Sequence, residues 1–151
     1  MIYRSSSSAD TKAFARRVAA HLRKMKQGKR ARVVALHGDL GAGKTTFVQG
    51  FAKAIGARGR VASPTFIIVR RMKIVRGPFR NLFHVDAYRI KDRREIAHLG
   101  FREMIADPQN IILIEWPERL GRSLPGGSLK LRFEHGKTIN ERIIRSPKNF
   151  S

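Results

Sequence analysis

Eight consecutive residues constrain this chain more than any other feature. Gly38-Asp39-Leu40-Gly41-Ala42-Gly43-Lys44-Thr45 matches the spacing G-x-x-x-x-G-K-[ST] without a gap. Before it stands a short apolar run, Val33-Val34-Ala35-Leu36, of the kind buried on both faces of a parallel sheet. After it, Thr46 to Ile55 carries Phe47, Val48, Phe51 and Ile55 at helical spacing and is stopped by Gly56. Strand, glycine loop and helix in that order open an α/β domain. The residue types follow from the chemistry of an anion. Glycines let successive amides turn inward as a nest around a phosphate, and the helix presents its N-terminus to the same charge. Lys44 is expected on the β- and γ-phosphates, with the Thr45 hydroxyl on Mg²⁺ and Thr46 beside it.

The rest of the chain reads as further α/β elements. Residues 9–27 have Phe14, Val18, Leu22 and Met25 at helical spacing, with Asp10 or Ser8 as cap and Gly28 as stop. Val61 to Pro64 is expected to be extended, and the β-branched runs Phe66–Val69 and Met72–Val75 read as strands, as does Asn81–Val85. Asp92 to Ala106 reads as one helix with Ile96, Leu99, Met104 and Ile105 inward. Ile111–Ile114 is the most apolar run and ends at Glu115-Trp116-Pro117. Leu129, Leu131 and Phe133 alternate, and with Ile139 and Ile143 suggest a closing hairpin. All 151 residues are expected to form one domain.

A phosphate loop that uses a metal needs a carboxylate just beyond a neighbouring apolar strand. Glu115 and Asp86 both fit, one after Ile111–Ile114 and the other after Leu82–Val85. One would hold Mg²⁺ and the other orient the attacking water, with Glu115 on the better strand. Asp86 also suits a helix cap, and Glu115 a strand-end salt bridge. Asp39 sits inside the loop, where a carboxylate needs a metal, a water or a lysine. Ser63-Pro64-Thr65-Phe66 offers hydroxyls that can sense a γ-phosphate. His84 and Asp86 alternate onto one face of an extended chain. Trp116, the only tryptophan, suits a base, a partner or the core. The histidines supply no zinc spacing.

Composition narrows the setting. Lys and Arg total 32 against 11 Asp and Glu, giving a net charge of +21, so nucleic acid or another polyanion is a candidate partner. The cations run along the whole chain, however, which a solvated surface also explains. Cysteine is absent, excluding disulfides and thiolate chemistry. No apolar run approaches the ~20 residues of a membrane span, and the N-terminus lacks an apolar signal core. The expectation is a cytoplasmic protein.

Four motifs occur in order: Leu36–Phe47 around the glycine loop, Ser63–Phe66, His84-Val85-Asp86-Ala87-Tyr88-Arg89, and Ile114-Glu115-Trp116-Pro117-Glu118. Together they resemble the TsaE family, small ATPases of bacterial tRNA threonylcarbamoyladenosine synthesis, over roughly residues 9–145. Thr11 in the first helix resembles the family's N-terminal threonine. The resemblance implies a P-loop NTPase-like α/β fold, with a mostly parallel central sheet flanked by helices and an antiparallel edge. It implies weak Mg²⁺-dependent ATP hydrolysis by the lone chain. It also implies assembly with TsaB and TsaD, which transfer the threonylcarbamoyl group, with tRNA reached through that complex. Carried over by motif, Lys44 and Thr45 serve phosphate and magnesium, Thr65 lies in a switch-like loop, Asp86 and Glu115 are the essential acids, and Trp116 lies by the nucleotide or partner surface. The competing readings are a P-loop kinase of a small metabolite and a non-enzymatic basic RNA-binding protein.

Overall fold

The computed structural model describes residues 1–59 and 68–148. The hydroxyl loop Ser63–Phe66 with Thr65, and the extended segment expected at Val61–Pro64, lie outside them. One eight-stranded sheet runs through the described residues in the order β1-β8-β7-β2-β6-β5-β4-β3. The strands are β1 (Ile2–Ser5), β2 (Arg32–Gly38), β3 (Ala57–Arg58), β4 (Val69–Ile74), β5 (Asn81–Asp86), β6 (Asn110–Glu115), β7 (Leu129–His135) and β8 (Arg142–Arg145). The helices are α1 (Ser8–Lys24), α2 (Lys44–Ile55), α3 (Arg93–His98) and α4 (Phe101–Ala106). The centre, β7-β2-β6-β5, is parallel throughout. Both flanks are antiparallel: β8 and β1 on one side, β4 and β3 on the other. The sequence reading expected a mostly parallel sheet with one such edge. The difference comes from β1, a four-residue strand too short for periodicity to show, which adds to the closing hairpin of β7 and β8 and makes a second antiparallel flank.

The period-2 and 3.6 patterns set two core layers. On one face, Val34, Leu36, Leu82, Ile111, Leu113, Leu131 and Phe133 pack against Phe14, Val18, Phe47, Phe51 and Ile55 of α1 and α2. Phe47 meets Phe133 edge-on, with ring centroids 5.6 Å apart. Helix α1 approaches α2 so closely at Gly50 that a Cβ there would stand 2.8 Å from the Lys12 Cα. On the other face, Val33, Val85, Ile112 and Ile114 pack against Ile96, Phe101, Met104 and Leu120. β6 is buried at every position because both layers cover it, which is why it reads as a continuous apolar run.

Within the described residues, the runs expected as two strands over 66–69 and 72–75 give one strand, β4, and three further elements change shape. Helix α1 ends at Lys24, short of Gly28, and Ser7 caps it by accepting from the Asp10 amide. The single helix expected over 92–106 divides into α3 and α4, because Gly100 sits in the left-handed region at φ 74°. The break turns Leu99 outward, while Ile96 and Met104 remain buried. Ile139 lies in the β7–β8 loop and is 87% exposed, so the hairpin pairs Phe133 with Ile144 instead. Among the described residues no helix is long and apolar enough to cross a membrane.

Candidate active site

The parallel register delivers the site. β2, β6 and β5 run in the same direction and end together, which puts Leu36 opposite Glu115 and Glu115 opposite Asp86. The chain leaves β2 at Gly38, turns through the glycine loop and enters α2 above these strand ends. Gly38 has φ 137°, and a Cβ on it would lie 2.2 Å from the Phe133 carbonyl oxygen of β7, so no other residue fits. Gly41 and Gly43 also take positive φ, 72° and 100°. Gly43 is the N-cap of α2 and has no side chain to satisfy the first-turn amides. Those amides and the helix dipole form an anion-binding end.

Carbonyls of the loop are held from the protein side. The Ala42 amide donates to Asp39, and the Arg142 Nε donates to Gly41 at 3.2 Å. His135 Nε2 lies 3.2 Å from the Leu40 carbonyl. The buried Lys44 ammonium donates to the carbonyls of Gly38 at 2.6 Å and Asp39 at 2.7 Å. It also sits 4.1 Å from the centre of the Trp116 ring, within reach of a cation–π attraction. Burial pushes the Lys44 pKa below the usual lysine range, against the opposing pull of Glu115, Glu118, Asp39 and Asp86.

Thr45, the next residue, donates its hydroxyl hydrogen bond to Glu115, 3.2 and 3.3 Å from the two carboxylate oxygens. Glu115 is almost wholly buried, and His84 Nε2 lies 2.9 Å from its Oε1. The side-chain partners of Glu115 are thus Thr45 and His84, and not an arginine as the alternative reading, a strand-end salt bridge, would have it. Thr45 and Glu115, 70 residues apart in sequence, are paired in space, and neither belongs to a three-residue His/Cys/Asp/Glu cluster among the described residues. A hydroxyl, one carboxylate and an uncapped helix N-terminus suit a hard divalent cation that keeps several waters.

Asp86 performs its structural alternative as well: its side chain accepts from the Tyr88 amide and caps the 3₁₀ turn Ala87–Arg89. Its carboxylate remains on the Glu115 side of the sheet, at a half-buried position. Asp39 and Leu40 are exposed on the outer rim of the loop, and Thr46 stands one residue further into α2. Trp116 takes φ 58°, the only positive value of a non-glycine among the described residues. That conformation aims its ring at Lys44 and Tyr88, whose ring centroid is 5.0 Å away. Thus Lys44, Thr45, Asp86, Glu115 and Trp116 converge on one end of the sheet, as does His84.

Two features were not anticipated. Arg142 is 101 residues from Gly41 and carries no motif signal. It lines a cleft of about 170 Å³ with Ser7, Ser8, Thr11, Thr46 and Asn140, beside Gly41 and Gly43. Its Nη1 is fixed by the carbonyls of Ile139 and Glu141, 2.7 and 2.8 Å away. Second, His37 Nδ1 lies 3.3 Å from Glu118, joining the last side chain of β2 to the turn that follows Trp116. A separate cleft near Leu22, Met25, Ala31 and Leu129 touches none of the site residues.

Comparison with known proteins places this geometry. The family model "Threonylcarbamoyl adenosine biosynthesis protein TsaE" matches residues 5–144. A Bacillus subtilis protein named tRNA threonylcarbamoyladenosine biosynthesis protein TsaE is 37% identical over 129 residues, 85% of this chain and 74% of the relative. The protein of the same name from Haemophilus influenzae is 36% identical over 106 residues, 70% of this chain and 65% of its own length, just under two thirds. The crystal structure of Bacillus subtilis YdiB superposes with a TM-score of 0.74 at 31% identity, covering 97% of this chain and 83% of YdiB. With a family match across nearly the whole described chain, the chain belongs to the TsaE family.

Proposed function

We propose that this chain is a P-loop NTPase-like, Mg²⁺-dependent ATPase that supports N6-threonylcarbamoyladenosine formation in tRNA. The observation that carries the reading is the Thr45–Glu115 hydrogen bond at the uncapped N-terminus of α2, next to a buried lysine. The names of the relatives supply the pathway. The triphosphate of ATP lies against the loop Gly38–Gly43 and the first turn of α2, and Lys44 leaves the Gly38 and Asp39 carbonyls for the β- and γ-phosphate oxygens. The nucleoside takes the cleft between Thr11, Thr46, Asn140 and Arg142, the polar hollow that adjoins Gly41 and Gly43. Thr45 and Glu115 are the residues that would hold Mg²⁺, which would supply neutralising positive charge at the phosphate oxygens.

The remaining work belongs to the chain's own side chains. Asp86, capped on one oxygen by the Tyr88 amide, uses the other to orient a water in line with the γ-phosphate. His84 fixes the Glu115 carboxylate, leaving it one orientation toward Thr45. Trp116 covers Lys44 and keeps water from its far side, which strengthens the lysine's charge at the phosphates. Thr65, which lies outside the described residues, is the hydroxyl assigned to sensing the γ-phosphate. TsaB and TsaD supply the transfer chemistry in this reading, and the chain works in the cytoplasm. The test is phosphate release by the lone chain, then with TsaB and TsaD, then with tRNA. A slow rate alone that rises with the partners is expected. A fast rate on a small acceptor, unchanged by the partners, would replace this reading with that of a metabolite kinase.

A further inference from the structure

The second face of the sheet is covered unevenly. Helices α3 and α4 and the 3₁₀ turn Pro117–Ser123 bury β5, β6 and the start of β2 on that side. Beyond β2, the side chains that β7, β8 and β1 present there are largely exposed. Register fixes which they are. Lys130, Arg132 and Glu134 alternate with half-buried Leu129 and buried Leu131 and Phe133 on β7, while Ile143 and Arg145 come from β8 and Ile2 and Arg4 from β1. Four of these seven side chains are cations, and Glu134 is the one anion.

Arg132 stands directly opposite Arg145 across an antiparallel pair. Like charges in that relation destabilise a sheet. Glu134 relieves only Arg145, whose Nε lies 3.1 and 3.2 Å from its two carboxylate oxygens. Lys130 and Arg132 are exposed and make no ion pair among the described residues. Together with His37, Arg145, Ser146 and Pro147 they line a cleft of about 360 Å³. The His37 pKa is lowered, first by burial, and Arg132 and Lys130 add to the lowering against the opposing pull of Glu118. An uncovered sheet face with unmatched positive charge is complementary to a polyanion.

We propose that the β7-β8-β1 half of this face is a docking surface for the phosphate backbone of a structured RNA of the tRNA class. Among the described residues the face carries no aromatic side chain and only two apolar ones, Ile2 and Ile143, whereas the core of a protein interface is rich in both. Cations spaced two residues apart along a strand, about 6.8 Å, reach successive backbone charges without reading bases. The choice of RNA over another polyanion rests on the pathway reading above. The surface adjoins the nucleotide end: His37 immediately precedes Gly38, and its partner Glu118 follows Trp116 by two residues. RNA held there would lie beside the strand that feeds the glycine loop.

The test uses the full chain and a fluorescently labelled tRNA transcript, with anisotropy measured over a range of salt. The double variant Lys130→Gln/Arg132→Gln is compared with Arg16→Gln/Lys24→Gln, which removes the same charge from the exposed side of α1. The face variant is expected to bind about 10-fold or more weakly, with the slope of log K against log salt shallower by about two. The α1 variant is expected to lose no more than about threefold. Equal losses in both variants, or parental RNA affinity in the face variant, overturn the proposal, the second outcome pointing to an acidic protein as the occupant. Lysine acylation of the unmutated chain guards against misfolding of the variants: bound tRNA should protect Lys130 and leave Lys24 reactive, and an unprotected Lys130 also overturns it. Phosphate release is read in parallel. Its absence would remove the ATPase reading while leaving the RNA comparison interpretable.

Discussion

Glu115→Gln separates the role of a charge from the role of a shape. The parent carboxylate is buried, accepts from the Thr45 hydroxyl and lies 2.9 Å from His84 Nε2. Glutamine keeps the volume and one oxygen acceptor. A hydrogen bond to a charged group contributes about 1.5–3 kcal/mol and a neutral one about 0.5–1.5, so each contact weakens by roughly 1 kcal/mol. Loss of the carboxylate's own desolvation cost offsets part of this. Folding stability should therefore change by no more than about 2 kcal/mol, read as a shift in the urea midpoint. Glu115→Ala leaves His84 and Thr45 facing a buried gap and should cost about 2–4 kcal/mol. Hydrolysis should behave differently. Removing one preorganised electrostatic group from a transition state typically lowers the rate by about 10²-fold or more, and here the Mg²⁺ concentration for half-maximal rate should rise as well. Phosphate release across a Mg²⁺ titration, with ATP affinity measured separately, gives both numbers. A Gln variant that hydrolyses ATP at the parental rate with unchanged Mg²⁺ dependence would falsify the assignment and make Asp39 or Asp86 the metal residue.

Other perturbations test the neighbouring parts. Asp86→Asn should lower hydrolysis by a similar factor while ATP affinity, measured by calorimetry, stays within a few fold, because the amide still caps the 3₁₀ turn at Tyr88; equal losses in affinity and rate would contradict a water-orienting role. Lys44→Ala and Lys44→Met should abolish nucleotide binding with the circular dichroism spectrum intact. Burial lowers the Lys44 pKa below 10.5, so the unfolded chain holds this proton more tightly than the fold does. Its cost to stability is then full below the folded pKa and fades as pH rises from there toward 10.5, and the parent should gain on Lys44→Met across that window in denaturation curves; parallel curves would refute the burial argument. Gly50→Ala places a Cβ 2.8 Å from the Lys12 backbone, so despite a helix-propensity gain near 1 kcal/mol it should lower stability by about 1–2 kcal/mol. Since α1 carries Thr11 into the cleft beside the loop, ATP affinity should fall with it, and an unshifted melting temperature would show that the two helices can part freely.

The fold was legible where one local rule acted without competition. Ile111–Ile114 announced a strand covered on both faces, and β6 is buried at all six positions. Gly56 announced the end of α2, and its left-handed conformation ends that helix. The pattern failed where two signals overlapped. Residues 92–106 keep helical spacing through Gly100, yet Asp92 and Glu95 build a capping box that starts one short helix, and Gly100 at positive φ starts another. β1 was invisible because its pairing with β8 is made across the whole chain, Ile2 to Arg145, and four residues carry no period.

The site shows the same division between local and long-range information. Lys44 and Thr45 could be named as candidates because a loop that wraps a phosphate must be contiguous, so the proposed chemistry is written in eight adjacent residues. Glu115 and Asp86 were named as candidates by a weaker rule, that a parallel sheet ends its strands together, and the register Asp86 to Glu115 does bring the two positions side by side. That rule names positions but not partners. It could not distinguish an arginine from His84 as the group beside Glu115, since both occur near strand ends and only the alternation on β5 turns His84, and not Phe83, toward Glu115. Arg142 lay beyond any such rule. It reaches Gly41 because the C-terminal hairpin folds back along β7, and β7 is the neighbour of β2 by topology alone. The loop thus depends on two determinants of different kinds. Its glycines are fixed by local conformation, and the side chains that hold it in place, Arg142 and His135, are fixed by the order of strands.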